Sequence, residues 1–188
     1  ISLGLVGSEM CIRDSTCALL DNGSVSCWGG SDLGQLGNGM SYSLTPTLTG
    51  SFGTGRTAVA LSSGSFHTCA ILDNGAVSCW GMGWHGQLGN GGAPFKQNTP
   101  VLVSSFGSGR TALAISAGGM HTCAILDNGL VSCWGAGTSQ GGGGDYGQLG
   151  NGGSTGSAVP TLTSSLGTGR TAVALSSGAV HTLSLIHI

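Results

Sequence analysis

Apolar residues along this chain come in short bursts broken by glycine, never in a long run. From His67 onward the bursts read "HTCAIL", "AVSCWG", "TPVLVSS" and "RTALAISAG". Each is rich in Val, Ile, Leu and Thr and is bounded by Gly-containing turns, which predicts short strands. The strongest turn signal is "LDNG" after the first burst, where Gly75 can adopt the positive φ that closes a short hairpin. Asp73, with its counterparts Asp21 and Asp127, is expected to be a turn residue. Four such strands predict one antiparallel sheet per unit.

The unit recurs. "HTCAILDNGAVSCWG" begins at His67 and "HTCAILDNGLVSCWG" at His121, with Ala76 exchanged for Leu130. Cys17 to Cys69 is 52 residues, Cys69 to Cys123 is 54, and His121 to His181 is 60. Within the unit the spacing is rigid: Pro to Arg is ten and Arg to His eleven in all three copies. Length varies only between "WG" and "GQLG" and between "GNG" and the proline, so those segments are loops. Three copies are delimited at 16–66, 67–120 and 121–182. A period near 50 residues with strands as its content predicts propeller blades rather than a helical solenoid.

Composition narrows the function. The chain has 188 residues, 38 of them glycine, and a formal charge of −2 with only 6% charged residues. Five scattered Lys and Arg leave no electrostatic footprint for nucleic acid. No apolar run approaches the roughly eighteen residues of a membrane-spanning helix.

"HTCAILDNGAVSCWG" followed by "GQLGNG" resembles the regulator of chromosome condensation repeat, over essentially all of residues 16–182. The resemblance implies an all-β fold of three four-stranded antiparallel blades from an incomplete, normally seven-bladed β-propeller, whose remaining blades would be partners in the same chain. It also implies functions to weigh. One is guanine nucleotide exchange on a small GTPase, and another is inhibition of a secreted enzyme.

Six cysteines fall in pairs ten apart: Cys17 with Cys27, Cys69 with Cys79, Cys123 with Cys133. A three-residue loop of Asp73, Asn74 and Gly75 places Cys69 opposite Cys79, within disulfide reach. Buried free thiols, or a metal site joining His67 to Cys69 and Cys79, are the competing readings. Zinc usually takes closer-spaced pairs and a fourth ligand, so bridges are favoured. Repeated bridges predict an extracellular, periplasmic or cell-surface location.

The two ends read differently from the repeat. The DNA GAGATGTGTATAAGAGACAG encodes residues 9–14 and starts Ser15, and its reverse complement encodes the closing "LSLIHI". It resembles the mosaic end of a transposase-based sequencing adapter. The repeat's "HTC" is cut to "STC" at Ser15 and "HTL" at Leu183. Residues 1–15, with the seventh cysteine Cys11, and residues 183–188 are therefore expected to be adapter read-through.

No asymmetric catalytic constellation stands out, and no cofactor or metal is expected. "GMGWHG" satisfies a dinucleotide fingerprint literally but has no helix pattern after it. His67, His121 and His181 each repeat in the unit, as do Trp28, Trp80 and Trp134, which marks them as supports of the blade. Arg56, Arg110 and Arg170 are expected to satisfy backbone carbonyls between blades. What differs between units is the better guide to function. The variable loops offer Tyr42, Trp84, His85, Phe95, Lys96 and Tyr146 as a recognition surface. The chain is thus expected to be a non-catalytic extracellular scaffold that binds a protein or a glycan.

Overall fold

The computed structural model describes residues 15–136 and 147–187, and Cys11 and Tyr146 lie outside them. The strands are β1 (Ser15–Leu19), β2 (Val25–Gly30), β3 (Tyr42–Leu48), β4 (Ala58–Ser63), β5 (His67–Leu72), β6 (Val77–Met82), β7 (Lys96–Leu102), β8 (Ala112–Ala117), β9 (His121–Leu126), β10 (Val131–Gly135), β11 (Ser157–Leu162), β12 (Thr171–Ser177) and β13 (Thr182–His187). Among the described residues there is no helix. β4–β5–β6–β7 and β8–β9–β10–β11 are complete four-stranded antiparallel blades, and β1–β2–β3 and β12–β13 are partial ones beside them. The propeller architecture is as expected. The count differs, because the described strands make two whole blades and two incomplete ones.

The boundaries also move. A blade starts one strand before the "HTC" segment, so the four strands of a unit starting at His67 do not share a sheet. β8 joins the next one. The connections explain it: residues 64–66 close a tight turn between β4 and β5, whereas residues 103–111 carry the chain from β7 across to β8. Short links pair neighbours in one sheet, and the long link changes sheets. Residues 183–187, read as foreign to the repeat, extend β13 along β12. A sheet edge offers backbone groups to whatever chain runs past it.

The β5–β6 hairpin turns as expected. Leu72 N–H donates to Ala76 O (2.8 Å), Gly75 N–H to Leu72 O (2.9 Å), and Ala76 N–H to Asn74 Oδ1 (3.1 Å). With Leu72 and Ala76 hydrogen-bonded, antiparallel alternation makes Cys69 and Cys79 a non-hydrogen-bonded pair, the kind whose Cα atoms lie closer. They are 4.1 Å apart and bridged, as are Cys17 with Cys27 and Cys123 with Cys133.

Apolar burial lies between the sheets. One cluster joins Cys17, Val25 and Cys27 of the first sheet to Ala58, Ala70 and Trp80 of the second, with Leu36 between them. The next joins Cys69, Ile71, Val77 and Cys79 to Ala112, Ala124, Leu126 and Trp134, with Leu88 between. Every residue of β5 and β9 is buried because both faces of these strands meet a neighbouring blade.

Candidate functional site

Two sets of residues compete to be the site, the repeated polar groups at the seams and the variable groups on the loops. At each seam the "GQLG" loop of one blade receives the tryptophan of the next. Trp80 Nε1–H donates to Gln35 O (2.8 Å) and Trp134 Nε1–H to Gln87 O (2.9 Å), both fully buried. Gly89 is required there, because a Cβ on it would stand 2.6 Å from Trp134 Nε1. Phe106 leans on Trp134, and Phe52 on Trp80, with ring centroids 5.8 and 5.9 Å apart.

The Gln87 carbonyl accepts a second bond, from Thr122 Oγ1 (3.0 Å), while Thr122 Oγ1 lies 2.8 Å from His67 Nε2. Since the single hydroxyl proton goes to Gln87, Nε2 of His67 is the donor and carries the ring's proton. His67 Nδ1 is buried without a partner. Burial first, and then the neighbouring His121, lower the His67 pKa from 6.5 to about 3. His121 repeats the arrangement toward Thr182 Oγ1 (2.7 Å), and burial followed by His181 lowers its pKa to about 4. These rings stay neutral and sealed from solvent, joining blades. With Cys69 and Cys79 bonded to each other, their sulfurs are not offered to a metal beside His67.

Arg56 and Arg110 differ from expectation. Arg56 Nη1–H donates to both oxygens of Asp73 (3.2 Å each), and Arg110 makes the same pair with Asp127 (3.3 and 3.4 Å). Carboxylates, not backbone carbonyls, are the acceptors, because β4 and β5 pair so that the start of one lies beside the turn that ends the other. Asp73 and Asp127 therefore combine turn and ion-pair roles.

The loops gather four of the six variable residues. Trp84 and Phe95 meet edge to face, centroids 5.7 Å apart and planes at 62°, and each is 56% exposed. His85 adjoins them, half-buried, with its pKa lowered by burial; its backbone N–H donates to Gln87 Oε1 (2.9 Å). Lys96 Nζ–H donates to Asp32 O on the preceding blade's loop (3.2 Å). Beside the aromatic pair opens a cleft of about 460 Å³, lined by Trp84, His85, Ala93, Ala136, Thr155 and Ser157 among others. Tyr42, exposed, pairs with Gly30 as Lys96 pairs with Met82, so it holds the corresponding place on the neighbouring blade, apart from the aromatic pair. Tyr146 is outside the described residues.

Sequence reasoning did not single out Gln35, Gln87, Thr122 or Thr182. The signal was present in the "GQLG" of all three units and in the "HT" at 67, 121 and 181, but a backbone acceptor leaves no mark of its own on side-chain identity.

The regulator of chromosome condensation (RCC1) repeat profile matches residues 74–125, and a second profile of the same repeat matches 58–87 and 113–141. The chain is 35% identical over 144 residues, 76% of its length, to the E3 ubiquitin-protein ligase HERC2 of Homo sapiens, and spans 3% of that protein. It is 32% identical over 179 residues, 95% of its length, to the ultraviolet-B receptor UVR8 of Arabidopsis thaliana, and spans 38% of it. It therefore covers well under two thirds of these relatives. Prp20p from Saccharomyces cerevisiae shares the fold with a TM-score of 0.76 at 17% identity, over 91% of this chain and 41% of that one. Repeat matches and architecture agree, and the chain belongs to the RCC1 repeat family of β-propellers.

Proposed function

We propose that this chain is a non-catalytic binding scaffold whose partner, a protein, docks on the loop rim around Trp84, Phe95 and the adjoining cleft. The observation that carries the reading is the exposed aromatic pair. Two large rings held edge to face on a rigid scaffold present apolar area with little conformational freedom left to lose on binding. Hydroxyls of Thr155 and Ser157 and the Lys96 ammonium supply polar groups at the margin. Protein binding fits a family in which Prp20p is described with its binding to Gsp1p and histones. Three bridged pairs of cysteines support an oxidising setting, outside the cell or in a periplasm. That setting favours an extracellular binder or secreted inhibitor over a nucleotide exchange factor, which works where thiols stay reduced.

The test is capture from the extracellular fraction of the source organism, on immobilised protein, by the unaltered chain, by Trp84→Ala with Phe95→Ala, and by Arg110→Ala. A protein retained by the first and third and lost by the second is expected. Equal retention by all three would overturn the rim, and retention only of oligosaccharides on a glycan panel would replace protein by glycan as the partner.

A further inference from the structure

The three hairpin tips are built alike, and one of them ends in a hydroxyl. Asn22, Gly23 and Ser24 correspond to Asn74, Gly75 and Ala76 and to Asn128, Gly129 and Leu130. In each tip the asparagine Oδ1 accepts the backbone N–H two residues on, at 2.9, 3.1 and 3.1 Å. In each the glycine is pinned by the segment that leads into a neighbouring strand. A Cβ on Gly23 would stand 2.5 Å from Thr57 Cβ, and Gly23 O accepts Ala58 N–H (2.8 Å). Gly75 is held in the same way by Thr111 and Ala112, and Gly129 by Thr171 and Ala172. The asparagine is exposed in all three, including the hairpin of β5 and β6, whose sheet packs against another on either side. Its exposure therefore comes from the turn itself.

The third residue of the turn is where the units part. Ala76 and Leu130 hold the same turn without a hydroxyl, so folding does not account for Ser24. Asn followed two residues later by Ser, with a residue other than Pro between, is the acceptor pattern for an N-linked oligosaccharide. No other asparagine of the chain stands two residues before Ser or Thr. The hydrogen bond into Asn22 Oδ1 draws electron density from the amide and makes its N–H a better acid. That suits a nitrogen that must give up a proton as it bonds to carbon. Three adjacent residues set the turn, so it forms before the blade is complete.

We infer that Asn22 is a site of N-glycosylation when the chain is secreted, the co-substrate being an oligosaccharide carried on a lipid pyrophosphate. Nδ2 of Asn22 bonds to the anomeric carbon of the first sugar. The bond from that carbon to the pyrophosphate oxygen breaks and its electron pair leaves with the lipid pyrophosphate. The proton lost by Nδ2 passes to a base of the transferase, which reads the Ser24 hydroxyl as its recognition group. The inference rests on the oxidising setting drawn from the three bridges and is independent of the aromatic rim. Tip and rim lie at opposite ends of a blade. From the tip at Asn74 the chain runs the six residues of β6, about 20 Å, before it reaches the loop that carries Trp84. A glycan on Asn22 therefore covers the tip face of the first sheet and leaves the rim open.

The experiment is secretion of the full chain from cultured mammalian cells behind a cleavable leader, with intact mass measured before and after treatment with a peptide:N-glycosidase. The unaltered chain is expected to carry the mass of one oligosaccharide, which the amidase removes to leave aspartate in place of Asn22. Asn22→Gln and Ser24→Ala are each expected to lose the glycan, and Ser24→Thr to keep it. Because Ala76 holds the same turn, Ser24→Ala leaves the fold intact and reads the hydroxyl alone. Ala76→Ser, which completes the acceptor pattern after Asn74, is expected to add a second oligosaccharide. An unmodified chain, a glycan that survives Asn22→Gln, or no gain from Ala76→Ser would each overturn the proposal. Thiol titration of the same sample separates the acceptor from its premise. Bridged cysteines without a glycan defeat the acceptor, whereas reduced thiols defeat the bridges on which the oxidising setting rests.

Discussion

The seam and the rim are written by the same repeat, yet they use its residues in opposite ways. At the seam, Trp134, His67, Thr122 and Gln87 are buried, mutually bonded and placed by a blade on each side. On the rim, Trp84 and Phe95 are exposed, meet edge to face and have no aromatic counterparts in the neighbouring unit. The contrast teaches that repetition here marks what a blade needs from its neighbour, and variation marks what is left over for a partner. Aromatic identity alone does not separate the two, since tryptophan serves both.

The largest effect should come from emptying a seam. Trp134→Ala removes a fully buried indole and its bond to Gln87, and a loss of about 3–5 kcal/mol is expected in denaturant unfolding. Removing a bridge comes next. Each closes a loop of sequence separation 10 and contributes about 2.8 kcal/mol in the chain-entropy account, so replacing one pair, Cys69→Ser with Cys79→Ser, should lower the thermal unfolding midpoint clearly.

Acid gives a graded break. In the folded chain His67 has a pKa of about 3 and His121 of about 4, against 6.5 when exposed. Below pH 6.5 the unfolded chain takes up protons that the folded chain refuses. Their contribution is therefore complete above pH 6.5 and is lost as pH falls toward those folded values, by about 1.4 kcal/mol per pH unit for each ring. A melting temperature that holds steady from neutral pH down to pH 4 would show that the rings are solvated. The smallest effect should be on the rim. Trp84→Ala is expected to change stability by under about 0.5 kcal/mol, while abolishing partner capture. A large loss of stability would make Trp84 a seam residue and dissolve the distinction.

Much of this fold was legible in the sequence because turn chemistry is local. Asp73, Asn74 and Gly75 define a three-residue loop, the loop sets the register, and the register sets Cys69 against Cys79. The strands of the blade were readable for the same reason. Less legible was where a blade begins, since "HTC" is the conspicuous start of the repeat while β4 before it belongs to the same sheet. Arg56 pairing with Asp73 was missed on similar grounds, as the contact depends on how β4 and β5 register. On the rim, the sequence supplied Trp84 and Phe95 as separate candidates, and the fold brought them within 5.7 Å.

Local periodicity and the spacing of Gly, Cys and Trp determined by themselves that this chain makes short antiparallel strands, hairpins with facing cysteines, and units that stack. Only the tertiary structure decided which groups meet across a seam: that one carbonyl, Gln87 O, takes both an indole and a hydroxyl from the next blade, and that His67 is sealed against Thr122. The physical reason is range. A turn is set by the φ of a few adjacent residues, whereas a seam is set by the distance between two sheets, which depends on the whole interface that packs them.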